Sequence, residues 1–196
     1  KNKWGNVMSD YVGVDYIAIN SSILSAQSRP RFYWTNIDFE KFPEKLSKST
    51  LKDIIEYKVD EKYYLNKNGL EAFLNEVKLN KNTSKDGINK VFIIPKNIHK
   101  DNDRQRRVYS LKSKSPTILA RADTTKIFIN NKVRKLTPLE CERLQCIPDN
   151  YTSLASDTQR YKMIGNAFTV SIIVHFFKGL KREPLIKKRI KQETLF

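Results

Sequence analysis

The sequence is poor in several residue types that define large classes of protein. Its 196 residues include two cysteines and six glycines. Two cysteines exclude a disulfide scaffold or a four-cysteine zinc site and favour an intracellular protein. Six glycines without a glycine-rich loop argue against a self-sufficient nucleotide-binding domain. We find no apolar run of membrane-spanning length and no signal-peptide pattern at the N-terminus.

Acidic residues are scarce relative to basic ones. The 21 Asp and Glu residues stand against 37 Lys and Arg residues, which gives a formal net charge of +16. Such an excess indicates a polyanionic partner, most often nucleic acid and less often an acidic membrane surface or an acidic protein. The excess is concentrated in residues 81–135, which carry 15 basic and four acidic residues. A solvated loop region from a lysine-rich, AT-biased genome is the alternative explanation.

Residues 1–40 contain clear strand patterns. An amphipathic segment at 4–11 precedes a run of β-forming residues that predicts a strand over 14–20. A second strand is predicted over 31–37, after a serine-rich connection. The hydrophobic fraction of 39%, with ten Phe and nine Tyr residues, is enough for a packed core and excludes global disorder.

Residues 41–133 are irregular and rich in loops, and they contain no visible repeat. The segment 80–90 is polar and typical of turns. The remaining short patterns are helical at 51–57 and 69–79 and strand-like at 91–94 and 126–129.

Residues 134–181 are the most regular block. Thr137 is placed to cap a helix, with Pro138 at the first helical position and Glu140 three residues after the cap. This combination is a capping box, and it predicts a helix that runs through Leu144.

A second helix is predicted to start at Gly165-Asn166, with Asn166 as its N-cap, and to run to about Leu180. It is apolar on most faces, so it should be buried in a complete assembly. A helix N-terminus also offers N–H groups for a carboxylate or a phosphate, although a cap alone is the commoner role for Asn166. Residues 182–196 form a basic tail.

Gln27, Arg29 and Arg31 are the first candidate functional group. In an extended segment they point to one face, because the side chains of a strand alternate. Pro30 cannot donate a ladder hydrogen bond, so this segment begins a strand or lies at a sheet edge. Two neighbouring guanidiniums need anionic or carbonyl partners when they are shielded from water. The cationic wall of an active site and an exposed strand edge explain this pattern equally well.

The other reactive side chains indicate structural roles, and no metal site is predicted. His175 lies in an apolar helix and is expected to pack in the core. Neither cysteine has the neighbours of a metal site or of a loop nucleophile, so both are interpreted as structural. Ordinary surface or intrahelical ion pairs are expected for Glu140, Glu142 and Arg143, and the structural cysteines are Cys141 and Cys146.

Three segments resemble motifs of the DNA cytosine-5 methyltransferases, in the family's order. Residues 25–34 read SAQSRPRFYW and resemble the eighth motif, Gln-x-Arg-x-Arg. Residues 134–149 read RKLTPLECERLQCIPD and resemble the ninth motif, with Cys146-Ile147 in place of the usual Gly-Phe. Residues 161–170 read YKMIGNAFTV and resemble the tenth motif. The match covers residues 1–181 and is closest to phage and bacterial members.

The resemblance implies the fold class and a division of the chain. The fold would be α/β: the C-terminal end of a Rossmann-like, S-adenosylmethionine-dependent methyltransferase domain with an inserted, irregular target-recognition domain. Residues 1–40 would end the catalytic domain and residues 41–133 would be the target-recognition domain. Residues 134–181 would return to the catalytic domain, ahead of the tail at 182–196.

The family's earlier motifs are not seen in this sequence. The cofactor loop, the Pro-Cys nucleophile loop and the Glu-Asn-Val motif would have to come from an N-terminal part or subunit. The chain would therefore be inactive alone, and with that partner it would methylate C5 of a cytosine flipped out of duplex DNA. A non-catalytic, sequence-specific DNA-binding module or remnant is the alternative. Both functions imply a bacterial or phage-infected cytoplasm.

The resemblance also implies roles for individual residues. Arg31 would contact the cytosine O2 and stabilise charge developing on the ring, Arg29 would hold the geometry of an active-site carboxylate or phosphate, and Gln27 would fix the loop. Three residues would border the S-adenosylmethionine site: Gly165, Asn166 and Ala167. Ala167 stands where the family often has Ser, which removes a hydroxyl contact.

The region between the eighth and ninth motifs would bind double-stranded DNA. The residues that we expect to contact DNA are Arg104, Arg106, Arg107, Lys112, Lys114, Thr117 and Arg121. Phosphate contacts would make binding depend on salt, whereas arginine contacts to guanine would select sequence. The C-terminal peptide Gln192–Phe196 has some likeness to peptides that dock on bacterial sliding clamps, although a basic tail ending in apolar residues is the simpler interpretation.

Overall fold

A computed structural model describes residues 3–122 and 125–180 of the chain. In this part the strands are β1 (Ile17–Asn20), β2 (Pro30–Tyr33), β3 (Lys90–Ile93), β4 (Arg107–Ser110), β5 (Lys126–Ile129) and β6 (Lys132–Lys135). The helices are α1 (Lys3–Val12), α2 (Leu70–Glu76), α3 (Asp103–Arg106), α4 (Pro138–Leu144), α5 (Asp157–Asn166) and α6 (Val170–Phe177). None of these helices is long and apolar enough to cross a membrane.

The first sheet is an antiparallel pair, β1 and β2, in which Ile17 lies opposite Tyr33 and Asn20 opposite Pro30. Both strands lie within or beside the predicted ranges 14–20 and 31–37, but each has four residues. Helix α6 covers this pair through a core of Ile19, Tyr33, Ile172 and Phe176.

Helix α1 buries its small and polar residues and exposes its apolar ones, the reverse of an ordinary surface helix. Its buried residues are Gly5 and Ser9, and a Cβ at Gly5 would lie 2.8 Å from the ring of Tyr16. Ser9 Oγ accepts hydrogen bonds from Trp34 Nε1 and from the backbone N–H of Tyr16. The small, polar side of α1 therefore packs on the strand pair, and its apolar side faces outward.

The second sheet has the strand order β3-β4-β5-β6, with β4 and β5 parallel and the other pairs antiparallel. Asn130 and Asn131 join β5 to β6, and both have positive φ, as a tight hairpin turn requires. One face of the sheet packs on α2 around Leu74, Phe92 and Val108. Strands β4 and β6 are absent from the sequence prediction because each has only four residues, Arg-Val-Tyr-Ser and Lys-Val-Arg-Lys, without a clear period-two alternation.

Helices α4 and α5 join the second sheet through a central core that includes Leu51, Ile127, Leu144, Tyr161 and Ile164. The Tyr161 hydroxyl donates to the carbonyl of Leu136 at 2.6 Å, which fastens α5 below the end of β6. The same core contains Ala26, which precedes β2, so it joins that segment to the second sheet, α4 and α5.

The predicted capping box of α4 is confirmed. The N–H of Glu140 donates to Thr137 Oγ1 at 3.1 Å, and the N–H of Thr137 donates to a Glu140 carboxylate oxygen at 2.8 Å. Pro138 is the first residue of the helix and Leu144 the last. The local sequence is sufficient here because every interaction lies within one turn.

The predicted helix start at Asn166 is wrong. Asn166 is the last residue of α5, and α6 begins at Val170 with Thr169 at its cap. Gly165 lies inside α5, where the helix backbone passes close to Ala120. A Cβ at Gly165 would lie 2.4 Å from backbone atoms of Ala120. The glycine thus serves helix packing, whereas the sequence pattern made it look like a helix boundary. Helix α6 also ends at Phe177, three residues before the predicted end.

Candidate functional site

Gln27 is fully buried and connects three parts of the chain. Its Oε1 accepts the backbone N–H of Ile118 at 3.0 Å, and its Nε2 donates to Gln145 Oε1 at 3.1 Å. Backbone hydrogen bonds between residues 26–28 and Ser115 run alongside. The segment before β2 is therefore an internal element, held between residues 115–118 and the end of α4.

Gln145 is the centre of this network and was missed by the sequence analysis. Its Nε2 donates to the carbonyls of Ile164 and Ala167 at 2.9 and 3.2 Å, and its Oε1 also accepts from Thr169 Oγ1 at 2.8 Å. A long polar side chain directly after the end of a capped helix is a signal that could have found it. Through Gln27 and Gln145, the segment before β2 and the α5–α6 connection are fixed to each other.

Arg29 adds a charged contact to the same connection. Its Nη2 donates to the carbonyls of Gly165 and Ala167, each at 3.0 Å. Its Nη1 is buried and has no hydrogen-bond partner among the described residues. Burial, with a smaller contribution from the charge of Arg31, lowers the pKa of Arg29 to about 10. A buried guanidinium with a free donor is suited to hold an anion or a carbonyl oxygen.

Arg31 differs from Arg29 in its surroundings. It is exposed, and Nη1 donates to the carbonyl of Pro30 at 2.7 Å. Two residues further along β2, Tyr33 is buried, and burial raises the pKa of its hydroxyl. The exposed-edge interpretation is therefore wrong for Gln27 and Arg29, which are inside, whereas Arg31 is free to meet a partner at the surface.

The segment Gly165–Ala167 makes its contacts through carbonyl groups, because those of Gly165 and Ala167 accept from Arg29. It does not form a helix N-terminus, and the first N–H of α6, from Val170, donates to the carbonyl of Gln145. Asn166 is exposed, and its amide makes no hydrogen bond within residues 3–122 and 125–180. Phe168, in the stretch that was predicted to be a buried helix, is 64% exposed. Asn166 and Phe168 are therefore both open to solvent.

Glu140 forms a buried ion pair and not the expected surface pair. Its two carboxylate oxygens accept from Arg134 Nη1 and Nη2 at 2.8 and 2.6 Å, and both side chains are at most 1% exposed. The carboxylate also accepts the backbone N–H of Glu56 at 2.9 Å. These contacts join β6, α4 and the segment around residue 56. Because burial leaves neither charge any water to bind, each charge depends on its partner.

Glu142 is also buried, and it organises the loop after α4. It accepts the backbone N–H groups of Asn150 and Thr152, the Thr152 hydroxyl, and Arg160 Nη2. Burial raises the pKa of this carboxyl, but these hydrogen bonds outweigh burial and hold the pKa below its usual value. Of the three residues expected to form ordinary pairs, only Arg143 does so, with the exposed Asp149.

Two residues that we expected to contact DNA donate hydrogen bonds to backbone carbonyls of the fold. Lys114 is 3% exposed, and its ammonium donates to the carbonyls of Ser25 and Ser49 at 2.7 and 2.8 Å. Arg106 donates through Nη1 to the carbonyl of Ile94 and through Nε to that of Asp101. Lys114 is buried, so the prediction of a surface contact is wrong for it, whereas Arg106 keeps a 16% exposed side chain and its contact with DNA stays a prediction.

The other predicted DNA contacts remain accessible to differing degrees. Thr117 is half-buried, and its hydroxyl donates to the carbonyl of Ser28 at 3.0 Å, next to Arg29. Arg107 is ion-paired with Asp103, with a 39% exposed side chain. The fully exposed members of the set are Arg104, Lys112 and Arg121.

The cysteines and His175 that the sequence analysis singled out make packing and hydrogen-bond contacts within the fold. Cys141 is buried in the central core, and Cys146 Sγ lies 3.5 Å from Ser171 Oγ. His175 is half-buried, stacks on Phe42 with ring centroids 3.9 Å apart, and hydrogen-bonds the carbonyl of Glu40. No three His, Cys, Asp or Glu side chains in the described residues are grouped as metal ligands. The peptide Gln192–Phe196 lies outside the described residues.

The chain is similar to bacterial DNA methyltransferases. It is 28% identical to the type II methyltransferase M.Sau3AI of Staphylococcus aureus over 168 residues, which are 82% of this chain and 39% of that protein. It is 35% identical to M.HhaI of Haemophilus parahaemolyticus over 72 residues, 34% of this chain and 22% of that protein. The chain therefore spans well under half the length of these relatives.

Solved structures with the same fold come from eukaryotic methyltransferases. The TM-score is 0.53 with EhMeth of Entamoeba histolytica, at 12% identity over 91% of this chain and 59% of that one. It is 0.51 with Dnmt2 of S. pombe, at 13% identity over 83% of this chain and 55% of that one. The fold is thus that of the α/β, S-adenosylmethionine-dependent methyltransferases, as the resemblance implied. The sequence profile of the C-5 cytosine-specific DNA methylases matches residues 16–182, and the chain belongs to that family.

Proposed function

We propose that this chain is the C-terminal, DNA-recognising part of a DNA (cytosine-5-)-methyltransferase and completes the active site of an N-terminal part. The observation that carries the proposal is Arg29, a buried guanidinium whose Nη1 has no partner in the described residues. Such a donor is costly to bury unless a second group meets it, so it indicates a missing anion or carbonyl. In the proposal, an active-site carboxylate or phosphate from the N-terminal part or the DNA meets Nη1.

Arg31 is the residue assigned to the reacting base. It is the exposed guanidinium of β2, two residues from Arg29, and its position follows from strand alternation. A fixed positive charge at the cytosine O2 would stabilise negative charge that develops on the ring. Gln27 would act as a positioning residue, because its hydrogen bonds to Gln145 and Ile118 fix the start of β2.

Asn166 and Phe168 are the residues assigned to the cofactor border. S-adenosylmethionine would supply the methyl group when it is bound. Asn166 offers an amide and Phe168 an aromatic face, while Gly165 and Ala167 contribute by holding Arg29 through their carbonyls. The methyl side chain of Ala167 offers no hydrogen bond, so no direct polar contact is assigned to it.

Two exposed apolar surfaces support an N-terminal partner. Trp4 and Tyr11 on α1 are 73% and 85% exposed, and Val174 and Phe177 on α6 are 47% and 55% exposed. Apolar patches of this kind mark surfaces that another element covers. In the proposal, the N-terminal part covers both sides of the β1–β2 pair and brings the Pro-Cys loop towards Arg31.

The division of labour along the chain is part of the proposal. Residues 1–40 and 134–181 belong to the catalytic domain, and residues 41–133 recognise duplex DNA. The charge excess of residues 81–135 supports that assignment. The enzyme would act on DNA in the cytoplasm of a bacterial or phage-infected cell.

The test is to mix the purified chain with a chain that carries the cofactor loop and the Pro-Cys loop, and to follow transfer of tritiated methyl groups from S-adenosylmethionine to duplex DNA. We expect no transfer with either chain alone and transfer with both. Full activity of an Arg31→Ala variant in the mixture would remove the role assigned to Arg31.

A non-catalytic DNA-binding module is the second candidate, and the exposed cations of residues 81–135 favour it. This candidate predicts salt-dependent binding of duplex DNA by the chain alone, unaffected by S-adenosylmethionine, and no methyl transfer with any partner. Gel shifts across a range of salt concentrations, with and without S-adenosylmethionine, separate the two candidates.

A further inference from the structure

A groove lies between the polar loop 80–88 and strand β4. Its volume is about 490 Å³. It is lined by Asn80, Asn82, Thr83 and Ser84 of the loop, together with Lys90, Arg107, Tyr109 and Pro116. None of the loop residues 80–88 is among the DNA contacts that the sequence predicted.

The loop has a defined shape because its backbone is anchored at both ends. At its start, Asn80 donates from its backbone N–H to the carbonyl of Val91 and from its side chain to that of Lys90. At its end, Gly87 has φ +80° and accepts from the N–H of Lys114. Between the anchors, the N–H of Ser84 donates to the carbonyl of Ile88 at 2.8 Å. A ligand would therefore meet a preformed edge.

The side chains between the anchors are open to solvent. Lys81, Asn82, Thr83 and Lys85 are all exposed, and in the described residues neither lysine is paired with a carboxylate. Asp86 is the single acidic residue of the loop. The tip thus presents two positive charges together with amide and hydroxyl groups, the set of donors that binds phosphate oxygens.

The groove continues into a second one that contains predicted DNA contacts. The second groove is lined by Arg104 and Thr117, and the two share Arg107, Tyr109 and Pro116. Thr117 is hydrogen-bonded to the carbonyl of Ser28, the neighbour of Arg29. The loop therefore lies along the same surface as the proposed DNA contacts and leads away from the candidate active site.

Two of the predicted DNA contacts use their cationic groups within the fold. Lys114 is buried, and the half-buried Arg106 donates to the carbonyl of Ile94, so neither charge is freely exposed at the surface. Lys81 and Lys85 are exposed and flank the loop residues Asn82–Ser84 that line the groove, so they add two positive charges beside it.

We propose that loop residues 81–85 bind the sugar-phosphate backbone of the DNA duplex, beside the groove that Arg107 also lines. This inference rests on the proposed function, because it requires that residues 41–133 face DNA. Lysines are flexible point charges, and Asn82 and Thr83 are short donors, so the loop holds and orients the duplex without reading bases.

The test compares two lysine pairs in the full chain. Lys81→Ala/Lys85→Ala removes two charges from the loop, and Lys67→Ala/Lys132→Ala removes two exposed charges from a cavity at the opposite edge of the second sheet, beside β6. Fluorescence anisotropy measures binding to a mixed-sequence duplex over about 50 to 200 mM salt. We expect the loop variant to reduce the slope of log affinity against log salt by about 1.8, and the control to leave it unchanged.

A second variant, Asn82→Ala/Thr83→Ala, changes no charge. We expect it to weaken binding about threefold to tenfold for all duplex sequences alike. Circular dichroism and thermal unfolding check that each variant keeps the fold.

The outcomes separate the inference from the proposed function. If the unmodified chain binds no duplex at low salt, both fail. If it binds but the loop variant keeps the original salt slope, or changes it no more than the control does, the loop assignment alone is wrong. A loop variant that alters the preferred DNA sequence also overturns backbone binding, because phosphate contacts carry no base preference.

Discussion

Arg134 and Glu140 form a two-pronged ion pair that is sealed from water, with N–O distances of 2.8 and 2.6 Å. The pair joins the last strand of the second sheet to the helix that carries Gln145. It thereby connects the proposed DNA-facing sheet to the network that holds Arg29, since Gln145 lies directly after α4.

Removing one charge of this pair should destabilise the fold strongly. Glu140→Gln leaves Arg134 buried without a counter-charge, and such changes cost about 3–5 kcal/mol of unfolding free energy. Urea denaturation measures the loss. Asp149→Asn is the matched control: it breaks the exposed pair with Arg143 and should cost less than about 1 kcal/mol. Similar losses for both variants would show that burial does not govern the Glu140 pair.

Gln145→Ala should loosen the α5–α6 connection. The substitution removes the side-chain donors to Ile164 and Ala167 and the acceptor for Thr169, and leaves buried groups unsatisfied. We expect a loss of about 2–4 kcal/mol in unfolding free energy, with faster amide hydrogen exchange at residues 164–170. Gln159→Ala, an exposed change on α5, is the control, and equal exchange rates in the two variants would contradict the assigned role of Gln145.

Cys146→Gly should stabilise the chain. Cys146 has φ +56°, in the left-handed region that favours glycine, directly after the C-cap of α4. Relief of that strain exceeds the entropy cost of a glycine, and we expect a gain of about 0.5–1 kcal/mol by thermal denaturation. Cys146→Ala keeps a Cβ and should give no gain. If alanine stabilised as much as glycine, backbone strain would not be the cause.

The carboxyl of Glu142 should make the free energy of unfolding depend on pH in the acidic range. Its pKa in the folded chain lies below the ordinary value of 4.5, because hydrogen bonds from Thr152, Arg160 and Asn150 outweigh the effect of burial. The stabilisation is therefore fully present above pH 4.5 and is lost as the pH falls through the folded-state pKa. Urea denaturation from pH 7 downward should show a smaller decline for Glu142→Gln than for the unmodified chain. Parallel curves would exclude this carboxyl as the source.

Arg31 and Arg29 should respond differently to replacement by alanine. Arg31 is exposed, so Arg31→Ala should change unfolding free energy by less than about 0.5 kcal/mol. In the two-part enzyme of the proposed function, it should reduce methyl transfer about 100-fold to 1,000-fold. Arg29→Ala should destabilise the chain itself, since it removes the bonds to Gly165 and Ala167. Unfolding and methyl transfer are measured on the same preparations, and a destabilised Arg31→Ala protein would contradict this division.

The candidate site was predictable from the sequence only in part. The order Gln27, Arg29, Arg31 and the position of Gly165–Ala167 were accessible as patterns. Their meeting through Gln145 was not, because Gln27 and Gln145 are 118 positions apart and no local pattern reports such a contact. The same limit applies to Lys114, whose sequence neighbours are typical of a surface loop but whose ammonium meets carbonyls of residues 25 and 49.

Local interactions explain which features the sequence by itself determined. The capping box of α4, the β1–β2 pair, the strands at 90–93 and 126–129, and the family motifs depend on residues close together in the chain. The tertiary structure alone decided which charges are buried: Glu140, Glu142, Arg134 and Lys114 are inside, while Arg31 is exposed. It also decided that Gly165 lies within a helix. Burial depends on which distant segments pack together, and the free energy of a charge depends chiefly on whether water or a partner surrounds it.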